Sequence, residues 1–143
     1  MDKLIGELKD LEQNFEPYVI EQVKPFEPEI VELNTEDQLY LQGIDGAGKK
    51  LEPAYRPLTL QLKRIKGQRV DHVTLQDEGD FHGAYHLLFQ STRFAIVNDD
   101  AKAAKLERKY GPDIFGLTDE NVQEVRVLIR EPFLEFMRKK LIK

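Results

Sequence analysis

Residues 43–50, GIDGAGKK, contain the residue types of a phosphate-binding loop. Gly48 and Lys49 follow the first glycine at the spacing at which backbone amides wrap a phosphate and a lysine neutralises its charge. Lys50 occupies the position that would have to be Ser or Thr to bind Mg²⁺, and Pro53 prevents the helix that should follow such a loop. The sequence therefore favours a glycine-rich turn without a nucleotide cofactor.

Two histidines have a spacing that is found in metal sites. His82 and His86 are four residues apart, which can place two ligands on one face of a helix, and Asp80 lies near them. Gly79 and Gly83 interrupt that helix, however, and no third ligand is evident. We therefore expect no metal ion here.

The acidic residues Asp77, Glu78 and Asp80 could supply paired carboxylates for acid–base chemistry. Apolar residues alternate with polar ones around them, which instead predicts a turn beside the core. Gly79 would allow the tight backbone of that turn, and Asp77 or Asp80 would cap a short helical turn that starts near Phe81.

Nucleophiles are scarce in this chain. It contains no cysteine, and its only serine, Ser91, lies in a predicted hairpin turn without the surroundings of a hydrolase nucleophile. The absence of cysteine also excludes disulfides and thiolate zinc sites. We therefore expect a protein without enzymatic activity.

A small basic patch occupies residues 63–69 and includes Lys63, Arg64, Lys66 and Arg69. Proteins that bind nucleic acids usually have a wider basic surface with aromatic residues in it. This patch lacks interleaved aromatics in a chain of net charge −5. The expected structure is a solvated helix end, and direct contact with nucleic acid is not expected; a contact with protein remains open.

The elements that position these residues begin with an amphipathic helix over residues 2–15, which extends over residues 18–23 after a kink near Pro17. Pro25 and Pro28 predict an extended arm over residues 23–31. Residues 34–35, Asn-Thr, then predict the start of a short helix that ends before the Gly- and Pro-rich loop of residues 43–57.

The second half of the chain predicts helices and one hairpin. Residues 59–66 and 100–110 have helical spacing, and each helix ends at a glycine. Residues 86–90 and 93–98 are rich in apolar and β-branched residues and predict a β-hairpin. Thr118 caps a long final helix, in which Pro132 predicts a kink.

These elements predict an α+β fold with several helices packed on a small antiparallel hairpin. The 143 residues suit a single compact domain, with a helix and Pro-rich arm over residues 1–34 and a body over residues 35–143. No apolar run approaches the ~18 residues of a membrane span, and the first residues do not resemble a signal peptide.

Charge is distributed unevenly along the chain. Residues 1–60 contain 13 acidic and 6 basic residues, a net charge of −7, whereas residues 61–143 contain 13 acidic and 15 basic residues, a net charge of +2. Such a dipolar subunit can associate head to tail with copies of itself, although the same pattern also fits ordinary solvated surface.

The order of several short segments resembles the tail-completion or virion-morphogenesis proteins of tailed bacteriophages. One stretch runs from Tyr55-Arg56-Pro57-Leu58-Thr59 through Lys63 and Lys66 to residues 75–82, LQDEGDFH. A second set comprises Gln38-Leu39-Tyr40, Gly43, Asp45-Gly46 and residues 114–117, IFGL. Glu78 stands where the family pattern usually has Thr. The resemblance covers residues 36–122.

The resemblance implies a structural subunit of a virion that joins a ring at the neck or tail and is assembled in the cytoplasm of the bacterial host. Its partners would be copies of itself and other neck or tail proteins, such as the connector, tail tube or terminator. A protein-binding adaptor of a mobile element and a small nucleotide- or metal-dependent enzyme are the alternatives. The residues expected to make assembly contacts are Pro25, Phe26, Pro28, Gly43, Asp45, Gly46, Tyr55, Pro57, Asp77, Gly79 and Phe81.

Overall fold

The computed structural model describes residues 2–141, although not the side chains of residues 2–5, 7, 11 and 12. The elements in chain order are α1 (Asp2–Val23), a 3₁₀ turn (Lys24–Phe26), α2 (Glu27–Glu32), a π-helical segment (Leu33–Gln42), α3 (Pro57–Ile65), α4 (Asp80–Gly83), β1 (Tyr85–Phe89), β2 (Phe94–Asn98), α5 (Ala103–Tyr110), a second 3₁₀ turn (Pro112–Ile114) and α6 (Asp119–Leu141). The predicted α+β class is confirmed.

The β-hairpin and the long final helix are where the sequence predicts them. β1 and β2 pair antiparallel, with Tyr85 opposite Asn98 and Phe89 opposite Phe94. The Thr118 hydroxyl accepts a hydrogen bond from the Asn121 amide at 3.2 Å, which confirms the predicted cap of α6. α6 continues through Pro132.

The predicted extended arm is wrong, because residues 23–31 are helical. Pro25 lies at the start of the 3₁₀ turn and Pro28 in the first turn of α2, where the missing amide hydrogen has no helical partner to lose. Val23 and Ile30 are buried on the inner side of this segment. The helical path therefore continues past both prolines, with a 3₁₀ turn between α1 and α2. The predicted kink in α1 is confirmed and lies at Asn14.

The predicted helix start at residues 34–35 is also wrong. Asn34 and Thr35 lie inside a continuous helical path and are buried. The Asn34 side-chain amide donates to the carbonyl of Ile114 at 3.0 Å, and the Thr35 hydroxyl donates to the carbonyl of Val31 at 3.0 Å. The Asn34 side-chain nitrogen and the Thr35 hydroxyl thus donate to backbone carbonyls instead of capping a helix.

Two apolar clusters form the core. The first joins the π-helical segment to α4, β1 and the loops around them, and the second joins α1 and α2 to β1 and α6. The buried members of the first are Leu39, Leu51, Val73, Leu75, Phe81, Tyr85 and Ile114, and those of the second are Val23, Ile30, Leu87 and Val125.

A buried polar network connects the π-helical segment to the start of α6. Gln38 donates to the Gly116 carbonyl at 2.8 Å, and its side-chain oxygen accepts from the Thr118 amide at 3.0 Å and from Asn121 at 2.8 Å. These bonds satisfy polar groups that burial would otherwise penalise. They hold residues 114–118 in one position relative to the rest of the fold.

Candidate assembly surface

The burial pattern of helix α3 is the reverse of that of an ordinary surface helix, because a charged side chain is buried and apolar side chains are exposed. Its one buried side chain is Lys63, which is 7% exposed, whereas Leu58, Leu62 and Ile65 are 68%, 51% and 76% exposed. The three apolar residues are spaced i, i+4 and i+7 and therefore lie along one side of the helix. We call this line of side chains the α3 ridge.

Polar contacts of Lys63 attach α3 to the body of the protein. The Lys63 ammonium donates to the Gln76 carbonyl at 2.6 Å and to the side-chain oxygen of Gln68 at 3.3 Å. It also lies 4.8 Å from the centre of the Tyr55 ring, within the range of a cation–π interaction. The Tyr55 hydroxyl in turn accepts hydrogen bonds from the amides of Thr74 and Leu75, both at 3.1 Å.

The backbone conformation of Leu75 shows what the Tyr55 hydroxyl stabilises. Its φ is +57°, a left-handed conformation that non-glycine residues rarely adopt. The side chain is buried in the first apolar cluster, and the amide is bound by Tyr55. The contacts of Tyr55 thus stabilise the strained turn that Lys63 also binds.

A second set of bonds joins the end of α3 to Asp77. The Lys66 ammonium lies 2.8 Å from an Asp77 carboxylate oxygen, and Gln68 donates to the same oxygen at 2.9 Å. The hydrogen bond to Asp77 raises the pKa of Lys66, and the bonds from Lys66 and Gln68 lower the pKa of Asp77. These groups are exposed, so their contribution to stability is small. They join the end of α3 to the turn that contains Asp77.

An open groove of about 570 Å³ lies between α3 and α5. Apolar and charged side chains both line it, including Leu62 of the α3 ridge together with Leu75 and Phe81. The charged groups that line it include Lys66, Lys102, Lys105 and Lys109 together with Glu78 and Asp80. Tyr55 and Asp77, two of the residues expected at assembly contacts, also line this groove.

His82 supports this region from inside. Its Nε2 lies 2.8 Å from the Thr74 carbonyl oxygen, which can only accept, so Nε2 carries a hydrogen. Burial lowers the pKa of His82, and the nearby Lys63 charge acts in the same direction. His86 lies on β1 rather than on the short helix α4, so the two imidazoles do not share one helical face.

The amides of residues 43–49 already donate hydrogen bonds within the fold. The amides of Ala47 and Lys49 donate to an Asp45 carboxylate oxygen at 2.9 and 3.0 Å, and the Gly48 amide donates to the Asp45 carbonyl at 3.0 Å. The amide of Gly46 donates to the Asp113 carbonyl at 2.7 Å. The Asp45 side chain therefore takes the place inside the loop that an anion would need, as expected of a turn.

Close packing explains two glycines of this loop. Gly43 ends the π-helical segment with φ +67°, and a Cβ there would lie 2.5 Å from the His72 ring. A Cβ on Gly46 would lie 2.7 Å from the carbonyl carbon of Gly116. The two segments quoted in the resemblance, around Asp45 and at residues 114–117, thus contact each other.

The other residues expected at assembly contacts have varied surroundings. Pro25 and Pro28 are exposed, and Phe26 packs beside the second apolar cluster.

Gly79 has φ +93°, which provides the tight backbone before α4 that the sequence predicts, and Phe81 is buried. Pro57 begins α3. Phe81 and Asp45 act inside the fold, whereas Pro57 and Tyr55 position the α3 ridge.

A second groove, of about 360 Å³, is acidic. It lies between α2, the π-helical segment and α6, and Leu33, Leu41 and Leu128 form its apolar part. Its charged lining consists of the five carboxylates Glu29, Glu32, Glu36, Asp37 and Glu124. We call it the acidic groove.

Sequence reasoning identified α3 but missed its ridge. The predicted solvated helix end is wrong for Lys63, which is buried, because the Gln76 carbonyl and the Tyr55 ring contact its ammonium group. The signal that could have found the ridge is the i, i+4, i+7 spacing of Leu58, Leu62 and Ile65. The same spacing also describes a core-facing helix side, so only the structure distinguishes the two.

Comparisons with protein-family models, with characterised proteins and with solved structures found no match to this chain. None of the helices over residues 2–141 combines the length and the apolar character needed to cross a membrane. Over the same residues, no three His, Asp or Glu side chains are grouped so as to hold a metal ion.

Proposed function

We propose that this protein is a structural subunit of a tailed-phage virion that joins a ring at the neck or tail and has no catalytic site. The α3 ridge is the observation that carries the proposal. Exposure of large apolar side chains to water is unfavourable, and contact with a partner surface removes them from water. The fold itself does not cover these three side chains.

The attachment of α3 supports a preformed contact surface. Lys63 and Tyr55 fix the helix through hydrogen bonds and a cation–π contact, so the ridge is ordered before a partner arrives. Surfaces that are already ordered lose less conformational entropy on binding. A subunit that is added to a growing assembly benefits from such a surface.

The resemblance to tail-completion and virion-morphogenesis proteins supplies the class of assembly. Its first stretch, which contains Tyr55, Pro57, Lys63 and Lys66, builds α3 and its attachment. Its second set of segments forms the contact between the loop around Asp45 and residues 114–117. The quoted residues therefore belong to two structural units, one of which presents the ridge.

Three side chains with catalytic or ligand-binding character have structural partners, which supports a role without enzymatic chemistry. Asp45 binds the amides of its own loop, Asp77 binds Lys66 and Gln68, and His82 binds the Thr74 carbonyl. Each of these contacts stabilises a turn or a helix end.

An adaptor that binds one host or phage protein is the second candidate, because the α3 ridge also suits a single protein partner. The two functions differ in where the protein is found. A neck or tail subunit remains in the finished particle, whereas an adaptor is absent from it.

Deletion of the gene from the phage or prophage that encodes it tests the proposal. Electron microscopy of the lysate is expected to show separate heads and tails, or unfinished tails, and a wild-type copy supplied in trans should restore joined particles. A copy with Leu58→Asp and Ile65→Asp should fail to restore them, whereas Leu88→Asp, a change at an exposed leucine of β1, should succeed. Normal particles from the deletion strain would contradict the proposal.

A further inference from the structure

We infer that the α3 ridge of one copy docks in the acidic groove of the next copy. This inference rests on the proposed function and deepens it, because it names the partner surface of the ridge. The occupant is a second copy of the same chain, and the contact joins two different surfaces.

Charge complementarity is the first argument for a second copy. Arg56, Arg64 and Lys66 flank the ridge and are exposed. The acidic groove has carboxylates from α2, the π-helical segment and α6, and no lysine or arginine among its lining residues. Opposite charges at the edges of two apolar surfaces favour their encounter and fix their orientation.

The carboxylates of the groove lack cations of their own. Glu29, Glu32, Glu36 and Glu124 form no ion pair within residues 2–141. Arg56 and Arg64 likewise form none in that part of the chain. Both surfaces therefore present charges that the isolated subunit leaves in solvent.

The apolar residues of the two surfaces also suit a contact between a helix and a groove. Side chains at i, i+4 and i+7 are the usual anchors of a helix that lies in an apolar groove. Leu58, Leu62 and Ile65 provide those anchors, and the leucines of the groove provide the apolar floor. Leu41, at the end of the π-helical segment, is itself 49% exposed and would be covered in the contact.

The two surfaces have no residue in common, so one subunit can use both at once. Such a head-to-tail contact is heterologous and closes into a ring when the rotation per subunit permits. The uneven charge along the chain is consistent with this contact. The groove lies largely within residues 1–60, which are acidic, and the ridge borders residues 61–143, which are slightly basic.

Charge reversal on the purified full chain tests the contact. One variant carries Arg56→Glu and Arg64→Glu, and the other carries Glu32→Lys and Glu36→Lys; all four side chains are exposed. Sedimentation should show self-association of the wild type, weakened about tenfold or more in each variant. The chain that combines all four changes should recover association. Leu88→Asp serves as the control and should associate like the wild type.

Cysteine cross-linking locates the contact, because the chain has no cysteine of its own. Leu62→Cys and Leu41→Cys variants, mixed and oxidised, should form a disulfide-linked heterodimer if the two surfaces meet. Leu88→Cys mixed with Leu41→Cys should not. Adding Arg56→Glu and Arg64→Glu to the Leu62→Cys chain should abolish this cross-link. That result would confirm that both experiments measure the same contact.

The outcomes separate this inference from the proposed function. Association that is insensitive to charge reversal, or that forms no Leu62–Leu41 cross-link, would overturn the inference and leave a virion role standing with another interface. A chain that stays monomeric and uncross-linked would also overturn it, because another protein would then cover the ridge. Absence of the protein from particles overturns the proposed function instead.

Discussion

The ammonium of Lys63 lies 4.8 Å from the centre of the Tyr55 ring and donates a hydrogen bond to the Gln76 carbonyl at 2.6 Å. Through this contact a charged residue occupies the buried side of α3. The apolar side of the helix is consequently left in solvent. Helix α3 is thus attached through polar contacts of Lys63, while Leu58, Leu62 and Ile65 stay exposed, which is the basis of the contact surface that we propose.

Replacement of Lys63 by Met should lower the free energy of unfolding by about 1.5–3 kcal/mol, since it removes a charged hydrogen bond and leaves the Gln76 carbonyl without this donor. Urea unfolding followed by circular dichroism measures the change. Arg64→Met, at the exposed neighbouring position, is the matched control and should change stability by less than about 0.5 kcal/mol. Equal effects of the two substitutions would show that Lys63 does not anchor α3.

Replacement of Tyr55 by Phe should also destabilise the fold. The change keeps the ring beside Lys63 but removes the acceptor of the Thr74 and Leu75 amides, at a cost of about 1–3 kcal/mol. Tyr110→Phe is the comparison, because the Tyr110 hydroxyl forms no hydrogen bond within residues 2–141. Denaturant midpoints that fall equally for both variants would contradict the importance of the strained turn at Leu75.

The sequence predicts the hairpin, the end of α3, the cap of α6 and the glycine-rich turn around Asp45, because each depends on residues close together in the chain. It does not predict the helical path through Pro25 and Pro28, which depends on burial of Val23 and Ile30 against distant elements. It also does not predict the buried Lys63, whose partners lie up to 13 residues away along the chain. The α3 ridge follows from that tertiary contact.

Replacement of Gly46 by Ala should destabilise the contact between the two loops. A Cβ at this position would lie 2.7 Å from the Gly116 carbonyl carbon, so backbone would have to move, at a cost of about 1–3 kcal/mol. Gly83→Ala is the control, because a Cβ there meets no heavy atom within 4 Å. Thermal unfolding should show a lower midpoint for Gly46→Ala alone; an unchanged midpoint would contradict the close packing.

Stability should fall on mild acidification because of His82. Burial lowers its pKa below 6.5 in the folded protein, so the unfolded chain binds the proton more readily. The contribution of neutral His82 is therefore complete above pH 6.5 and is lost as the pH falls towards the lower folded-state pKa. Urea unfolding at about pH 7.5 and about pH 5.5 measures this loss, which should be smaller in His82→Gln. An equal loss in both proteins would assign it to other groups.

The central proposal, a structural role in a ring of a virion, is tested most directly by quantitative mass spectrometry of gradient-purified particles produced by the strain that carries the gene. A subunit of a ring at the neck or tail should be present in several copies per particle, at a fixed ratio to the other neck proteins across independent preparations. Absence from the particles, or an amount that varies between preparations and falls with further washing, would contradict the claim.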